Sequence, residues 1–256
     1  MVDKPSYKTW IRRQKLVIFW ILFVFFILLA CIPINIYEQI VMVCLSLPFL
    51  YISLILTYSY IQFSEKGGNY QTKIHMLLVK KLDWDGKGKA LDIGTGSGSL
   101  AIKIAKNFPE AEIKAIDYWG EDWEYTKNLS HQNAKIEGVE KQIDFIKASA
   151  SNLPFNDNEF DITISCLTFH EVKDEPDKIK VLKEAMRVIK PEGMFVFLDL
   201  FLEKKIYGEL EALRNGLELL DLAKWELINL DEEIKMPRLL LHGKVLGKAM
   251  ILVGRK

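Results

Sequence analysis

Two long apolar runs open the chain, and a shorter-period pattern follows them. Leu16 to Ile32 is 17 consecutive apolar residues, and with Pro33 and Ile34 the run approaches the ~20 that cross ~30 Å of hydrocarbon as a helix. Ile40 to Ile61 adds 22 residues without a charge. Only mild polar residues such as Ser46, Ser53 and Thr57 interrupt it, and their hydroxyls can bond back to a helical backbone. Pro48 predicts a kink there. The link from Asn35 to Gln39 is short, so the two spans, about 16–34 and 40–61, are antiparallel neighbours and both chain ends leave on one side.

The polar linker Ser64-Glu65-Lys66-Gly67-Gly68-Asn69 marks a domain boundary. From 70 to 256, apolar runs alternate with helix-period stretches. Strands are predicted at Ala90–Ile93, Ile113–Asp117, Ile143–Lys147, Asp161–Cys166, Met194–Leu200, Trp225–Leu230 and Ala249–Gly254. Between them, Leu100, Ile104 and Phe108, then Tyr125, Leu129 and Ile136, then Ile179, Leu182, Met186 and Ile189 recur at helical spacings. Strand and helix alternate, which predicts an α/β domain with a mostly parallel sheet covered on both faces. Lys190-Pro191-Glu192-Gly193 reads as the turn between one helix and the next strand.

Charge sharpens this division. The whole chain carries 34 Lys+Arg and 34 Asp+Glu. Lys4, Lys8, Arg12, Arg13 and Lys15 precede the first apolar run, none lies in the link, and Lys66 and Lys73 follow the second run. The bias of bases to the outer flanks predicts a two-pass membrane hairpin with both ends in the cytoplasm. Leu28-Leu29-Ala30-Cys31 loosely resembles a lipoprotein cleavage box, but an export signal leaves the second run unexplained. From Ser64 onward there are 29 bases and 32 acids, so nothing beyond the short arm suits a nucleic-acid partner. Three scattered cysteines, Cys31, Cys44 and Cys166, suggest neither a metal cluster nor a disulfide scaffold.

The most informative stretch is Ala90-Leu91-Asp92-Ile93-Gly94-Thr95-Gly96-Ser97-Gly98-Ser99-Leu100, a strand running into a glycine turn and then a helix. Glycines let backbone amides approach a ligand, and a helix start offers free N–H groups to an anion. The next strand ends in Asp117, 19 residues beyond Gly98, where an acid can accept both hydroxyls of a ribose. The spacing is G-x-G-x-G; a dinucleotide fingerprint needs a glycine where Ser99 stands, and no phosphate loop of the G-x-x-x-x-G-K-[ST] kind occurs.

Five features occur in order: the Asp92 to Gly98 turn, Asp117, Asn152-Leu153-Pro154-Phe155, Phe160-Asp161 with His170 shortly after, and Arg187-Val188-Ile189-Lys190-Pro191-Glu192-Gly193. Together they resemble class I S-adenosylmethionine-dependent methyltransferases, and within them the branch that includes quinone C-methyltransferases. The resemblance covers roughly Tyr70 to Lys256. It implies a Rossmann-like, seven-stranded, mostly parallel sheet whose last strand is antiparallel. It also implies that Gly94, Thr95, Gly96 and Gly98 line the methionine end of S-adenosyl-L-methionine, with Asp92 near its amine. Asp117 would then bind the ribose, and Tyr118 would pack on adenine. In the family an acid just after the third strand holds the adenine amino group; this chain has Ala148-Ser149-Ala150, so Ser149 and Ala150 stand there. Ser165 matches a position that commonly faces the cofactor.

Such a cofactor is already an activated electrophile, so the protein's task is chiefly to bring an acceptor into line at ~3–3.5 Å. No metal or nucleophilic triad is expected. A base is needed only where the acceptor must lose a proton, and His170, followed by Glu171, is the candidate. Trp119, Trp123 and Tyr125, among Glu121, Asp122 and Glu124, could roof the site, although Tyr125 also fits a buried helix face. The acids of Asp174-Glu175-Pro176-Asp177 read as a helix start. The expectation is a membrane-anchored, cytoplasm-facing methyltransferase acting on a small or lipid-like acceptor. The alternative is a membrane-tethered scaffold or sensor that binds the cofactor without turnover.

Overall fold

The computed structural model describes residues 4–32, 35–120, 123–220 and 222–256. The chain divides into two compact units, one comprising 9–72 with 238–240, the other the N-terminal arm up to Lys8 with 73–237 and 241–256.

The first unit is built on two helices, α1 (Arg13–Ala30) and α2 (Ile36–Phe63), both long and apolar enough to cross a membrane. Nothing in α1 is buried, and Ile21 and Leu28 are each about 60% exposed, so no polar face is turned outward to water. α2 opens on Asn35, whose Oδ1 accepts the amide of Tyr37 at 2.9 Å, and it runs unbroken through Pro48. Ser46 Oγ bonds back to Val43 O at 2.7 Å. Thr57 does something else: its Oγ1 accepts from Trp20 Nε1 across the hairpin at 3.0 Å. Phe26 stacks on Phe49 with centroids 5.4 Å apart. Pro33 and Ile34, read as the end of the first span, lie outside the described residues.

The second unit is a seven-stranded sheet with helices. After α3 (Tyr70–Lys80) come β1 (Gly88–Ile93), α4 (Ser99–Asn107), β2 (Ala111–Asp117), α5 (Lys127–Ile136), β3 (Ile143–Lys147) and β4 (Phe160–Cys166). A single 3-10 turn, Phe169–Glu171, leads to α6 (Lys178–Arg187) and β5 (Ile189–Asp199). The chain closes with α7 (Lys204–Tyr207), α8 (Leu210–Glu218), β6 (Lys224–Asn229), α9 (Leu230–Glu233) and β7 (Met250–Arg255). The sheet order is β3-β2-β1-β4-β5-β7-β6, with β7 antiparallel to both neighbours and the other pairings parallel. The central strands are apolar on both faces, Leu91, Ile93, Phe195 and Phe197 being fully buried, as a sheet covered on both sides requires.

Two local expectations change. Lys190 to Gly193 is not a free turn but an irregular stretch inside β5, where the register advances from Ile189 to Met194 while β4 advances from Phe160 to Ile162. Glu192 takes a positive φ of 64° there and its amide donates to Lys256 O at 2.9 Å, so Lys256 pins the excursion. Secondly, α5 begins at Lys127 on the cap Thr126, leaving Tyr125 outside the helix. Its buried residues are Ser130, Asn133 and Ala134, whereas Ile136 is exposed. The helix turns a small polar face inward because that face bonds the glycine turn.

Candidate functional site

The strand order reverses around β1, which lies between β2 and β4, so the carboxyl ends of β1 and β4 open the crevice in which α/β sheets hold ligands. The Gly94–Gly98 turn sits at that point, with the amides of Gly94 and Thr95 both donating to Ile116 O at 2.8 and 2.9 Å. Gly94, Gly96 and Gly98 all adopt positive φ, which a side chain rarely tolerates. At Gly94 a Cβ would also collide with Thr168 Oγ1; at Gly96 the nearest atom, Tyr125 Cδ2, lies at an ordinary 3.4 Å. Gly96 is therefore demanded by backbone conformation rather than by crowding.

Asp92, 1% exposed, sits beneath this turn. Its Oδ2 accepts the amide of Ala101 at 3.0 Å, tying it to the first turn of α4. Its Oδ1 is buried without a hydrogen-bond partner, and so is Thr95 Oγ1. Burial pushes the Asp92 carboxyl up to about 7, against the opposing pull of the Thr95 hydroxyl and the Ala101 amide. The threonine hydroxyl lies close enough to favour the charged carboxyl, yet the pair falls short of hydrogen-bonding geometry. An orphaned carboxylate oxygen at the mouth of a glycine turn suits a cationic group such as an ammonium.

Asp117 holds the turn from the second strand. Its Oδ2 accepts from Gly96 N at 2.8 Å and its Oδ1 from Trp119 N at 2.7 Å. Burial raises its pKa, opposed by the amides of Trp119, Gly96 and Tyr118. Each oxygen keeps a further lone pair for a hydroxyl. Trp119, at the strained φ of 42°, directs Nε1 to Gly96 O at 2.9 Å, and Ser130 Oγ donates to the same carbonyl at 2.9 Å. Tyr118 is 65% exposed, with Lys147 Nζ 5.5 Å from its ring centroid, and offers an open aromatic face beside Asp117. Trp123 stacks on Tyr125 at 5.3 Å; Glu121 and Asp122 lie outside the described residues.

Ser149 begins a tight turn after β3, its Oγ 2.9 Å from Ser151 Oγ. Ser151 Oγ donates to Asp174 Oδ2 at 2.6 Å, and that hydroxyl holds the Asp174 carboxyl below its usual range. A carboxylate absent from the sequence after β3 therefore reaches it from the segment before α6. Ala150 is buried in the core beside Leu153. Ser165 is fully buried and donates to Ile93 O at 2.8 Å, and Thr168 Oγ1 donates to the same oxygen at 3.1 Å. Ser165 thus holds the end of β1 against β4.

His170 lies in the 3-10 turn beyond β4, with Nδ1 2.6 Å from Oδ1 of Asp199, the last residue of β5. Asp199 is fully buried and also accepts the amides of Phe169 and Leu200, at 2.7 and 2.6 Å. Burial pulls the His170 pKa down, but the Asp199 carboxylate and Glu171 outweigh it, and the net shift is upward. With Nδ1–H given to Asp199, Nε2 is left as the basic nitrogen, 3.7 Å from Glu171 Oε1. Asp199 carried no signal of its own, ending an apolar strand. Among the other histidines, His75 is buried against Ser99 Oγ at 3.1 Å, and burial lowers its pKa well below normal. His131 packs edge-on against Phe145, and His242 Nδ1 accepts from Lys244 N.

Residues 91–197, which span the turn, Asp117 and His170, match the family described as a methyltransferase domain. The ubiquinone/menaquinone biosynthesis C-methyltransferase of Geotalea daltonii is 34% identical over 123 residues, 47% of this chain and 49% of that protein. The enzyme of the same name from Rickettsia prowazekii is 38% identical over 117 residues, 43% of each chain. The demethylmenaquinone methyltransferase of Bacillus pumilus is 36% identical over 115 residues, 43% of this chain and 44% of that one. The chain spans less than half the length of these curated relatives. Among solved structures, the geranyl diphosphate C-methyltransferase of Streptomyces coelicolor aligns with a TM-score of 0.56 at 10% identity, over 73% of this chain and 79% of that one. The [4+2]-cyclase SpnF aligns with a TM-score of 0.54 at 19% identity, over 72% and 81%. Both share the fold, and the second is a cyclase by name, so chemistry follows from the site rather than from the fold.

Proposed function

We propose that this chain is a membrane-anchored S-adenosyl-L-methionine-dependent methyltransferase that faces the cytoplasm and acts on a small or lipid-like acceptor. The observation that carries the reading is the orphaned Asp92 Oδ1 beneath a turn whose three glycines all hold positive φ. Asp92 would hold the donor's ammonium, and Gly94, Thr95, Gly96 and Gly98 would surround its methionine end. Asp117 would take the ribose hydroxyls and Tyr118 the adenine face. The Ser149-Ala150 turn, carrying the carboxylate of Asp174, would meet the adenine edge, and Ser165 would keep the floor of the crevice closed. When bound, the donor supplies a methyl group on a sulfonium.

The chain's own residues then have two tasks. One is orientation of the acceptor over the crevice, worth several kcal/mol where the approach is in line. The other is proton removal: His170, its Nδ1–H fixed on Asp199, presents Nε2 to an acidic O–H or activated C–H. A quinone-type acceptor is favoured by the names of the curated relatives and by the apolar hairpin, since tethering raises encounter with a substrate dissolved in the bilayer. The bias of bases to the outer flanks supports a hairpin with both ends in the cytoplasm.

Detergent-solubilised protein given methyl-labelled donor and a membrane lipid extract, and in parallel a soluble metabolite extract, tests the reading. Label is expected in the lipid fraction. Label in the soluble fraction alone defeats the lipid acceptor, and no donor binding by calorimetry defeats the reading whole.

A further inference from the structure

We propose that Asn133 is a positioning residue of the donor site and that the main chain of Ser6, in the arm preceding the membrane hairpin, belongs to the same construction. The inference rests on the donor reading above. Asn133 is 1% exposed. Its Oδ1 accepts the amide of Ser6 at 2.7 Å, and its Nδ2 donates both to Ser6 O at 3.1 Å and to Ser97 O at 2.9 Å. One side-chain amide thus closes a two-point clasp on the arm and, with its other N–H, holds the glycine turn.

A second tie runs beside it. Tyr7 OH donates to Glu137 Oε1 at 3.2 Å, and its ring lies 5.0 Å from Lys103 Nζ. Lys103 Nζ in turn donates to Ser99 Oγ at 2.9 Å, in the first turn of α4. The two ties end on Ser97 and Ser99, either side of Gly98. Without the arm, Asn133 loses the partners of its oxygen and of one N–H, and its hold on Ser97 loosens. The segment leading into the hairpin therefore completes the donor turn rather than serving as a slack tether. By linkage, a donor held by the turn must also hold the arm.

The test uses full-length, detergent-solubilised protein and S-adenosylhomocysteine as the probe, titrated by calorimetry. Ser6→Pro removes the donated N–H while leaving the domain interior untouched, and Asn133→Ala removes the whole clasp. Each is expected to weaken binding about tenfold, and the double variant to be no weaker than Asn133→Ala alone. Ser6→Ala keeps both main-chain groups and is expected to bind as the wild type does. In the wild type, saturating probe is expected to slow hydrogen exchange at the Ser6 amide several-fold. Unchanged affinity in Ser6→Pro, lost affinity in Ser6→Ala, or exchange indifferent to the probe overturns this inference alone. A wild type that binds no probe overturns the donor reading and this inference with it. Should Asn133→Ala fail to fold, Ser6→Pro and the exchange measurement still decide the matter.

Discussion

Nδ1 of His170 lies 2.6 Å from Oδ1 of Asp199, joining a 3-10 turn beyond β4 to the last residue of β5 through one fully buried carboxylate. That carboxylate fixes the imidazole's tautomer and orientation, leaving Nε2 as the nitrogen that can take a proton. Replacement by His170→Gln is expected to lower kcat by roughly 10²–10⁴, with the donor's Kd unchanged. Equal activity in the variant would remove His170 from the chemistry.

The pH profile separates the two members of the pair. Because the net shift of His170 is upward, the free base emerges only above the ordinary histidine range, so kcat/KM is expected to rise with pH through that raised value. Asp199→Asn removes the charge that raises it and should move the rising limb to lower pH. For stability the sign is the reverse. The pair's contribution is fully present below the unfolded histidine pKa and is lost as pH rises through the folded one. A limb that stays in place in Asp199→Asn would mean another group titrates.

Asp92 gives an independent pH dependence. Its folded pKa of about 7 exceeds the ~3.9 of an unfolded aspartate, so between those values the native state holds a proton that the unfolded state has lost. Stability of the free protein therefore falls as pH rises from ~4 to about 7, then levels. A donor ammonium needs the ionised carboxylate, so affinity is expected to increase with pH over the same window, with proton release on binding. Calorimetry in buffers of different ionisation enthalpy measures that release. Asp92→Asn should abolish it, and an unchanged release would place the proton elsewhere.

Asp117 binds the turn through Gly96 N and bonds Trp119 N as well, so its removal loosens the site before any ligand contact is counted. Asp117→Ala is expected to weaken donor binding by tenfold or more, ~1.4 kcal/mol. Gly96→Val should do the same for a different reason, since φ at 57° opposes a β-branched residue while space at that point is ordinary. Unchanged affinity in either variant, read by titration with S-adenosylhomocysteine, would move the donor site away from this turn.

Much of this arrangement was legible along the chain because its causes are local. Seven apolar runs gave the seven strands, and the glycine turn with its acids at Asp92 and Asp117 is contiguous or one strand apart. What escaped depends on contacts closed by topology. Asp199 became significant only because β4 and β5 are neighbours, and Asp174 only because its loop folds over Ser151. The inward face of α5 is not the apolar row of Tyr125, Leu129 and Ile136, since apolar spacing is blind to a face that is buried by hydrogen bonds. Ser130, Asn133 and Ala134 occupy it at helical spacing, and that polar stripe beside a glycine turn is the available signal.

Membrane topology is open to a direct measurement. Lys4, Lys8 and Arg12 lie before α1, Arg13 and Lys15 in its first turn, Lys66 and Lys73 lie beyond α2, and Glu38 is an acid near the hairpin tip. A single Lys or Arg at the centre of a span costs ~2.5–3.5 kcal/mol, and five ahead of the apolar run that opens at Leu16 resist translocation together. Ser6 and Tyr7 of the arm are bonded to Asn133 and Glu137, so the arm and the sheet-bearing unit must share one side of the membrane, which an even number of crossings satisfies. In a variant with Cys31, Cys44 and Cys166 replaced, Glu38→Cys should react with an impermeant maleimide added to intact cells. Lys66→Cys should react only after permeabilisation. The opposite pattern would put the sheet-bearing unit outside, beyond reach of cytosolic donor, and reaction of both sites only after permeabilisation would mean that the hairpin does not span.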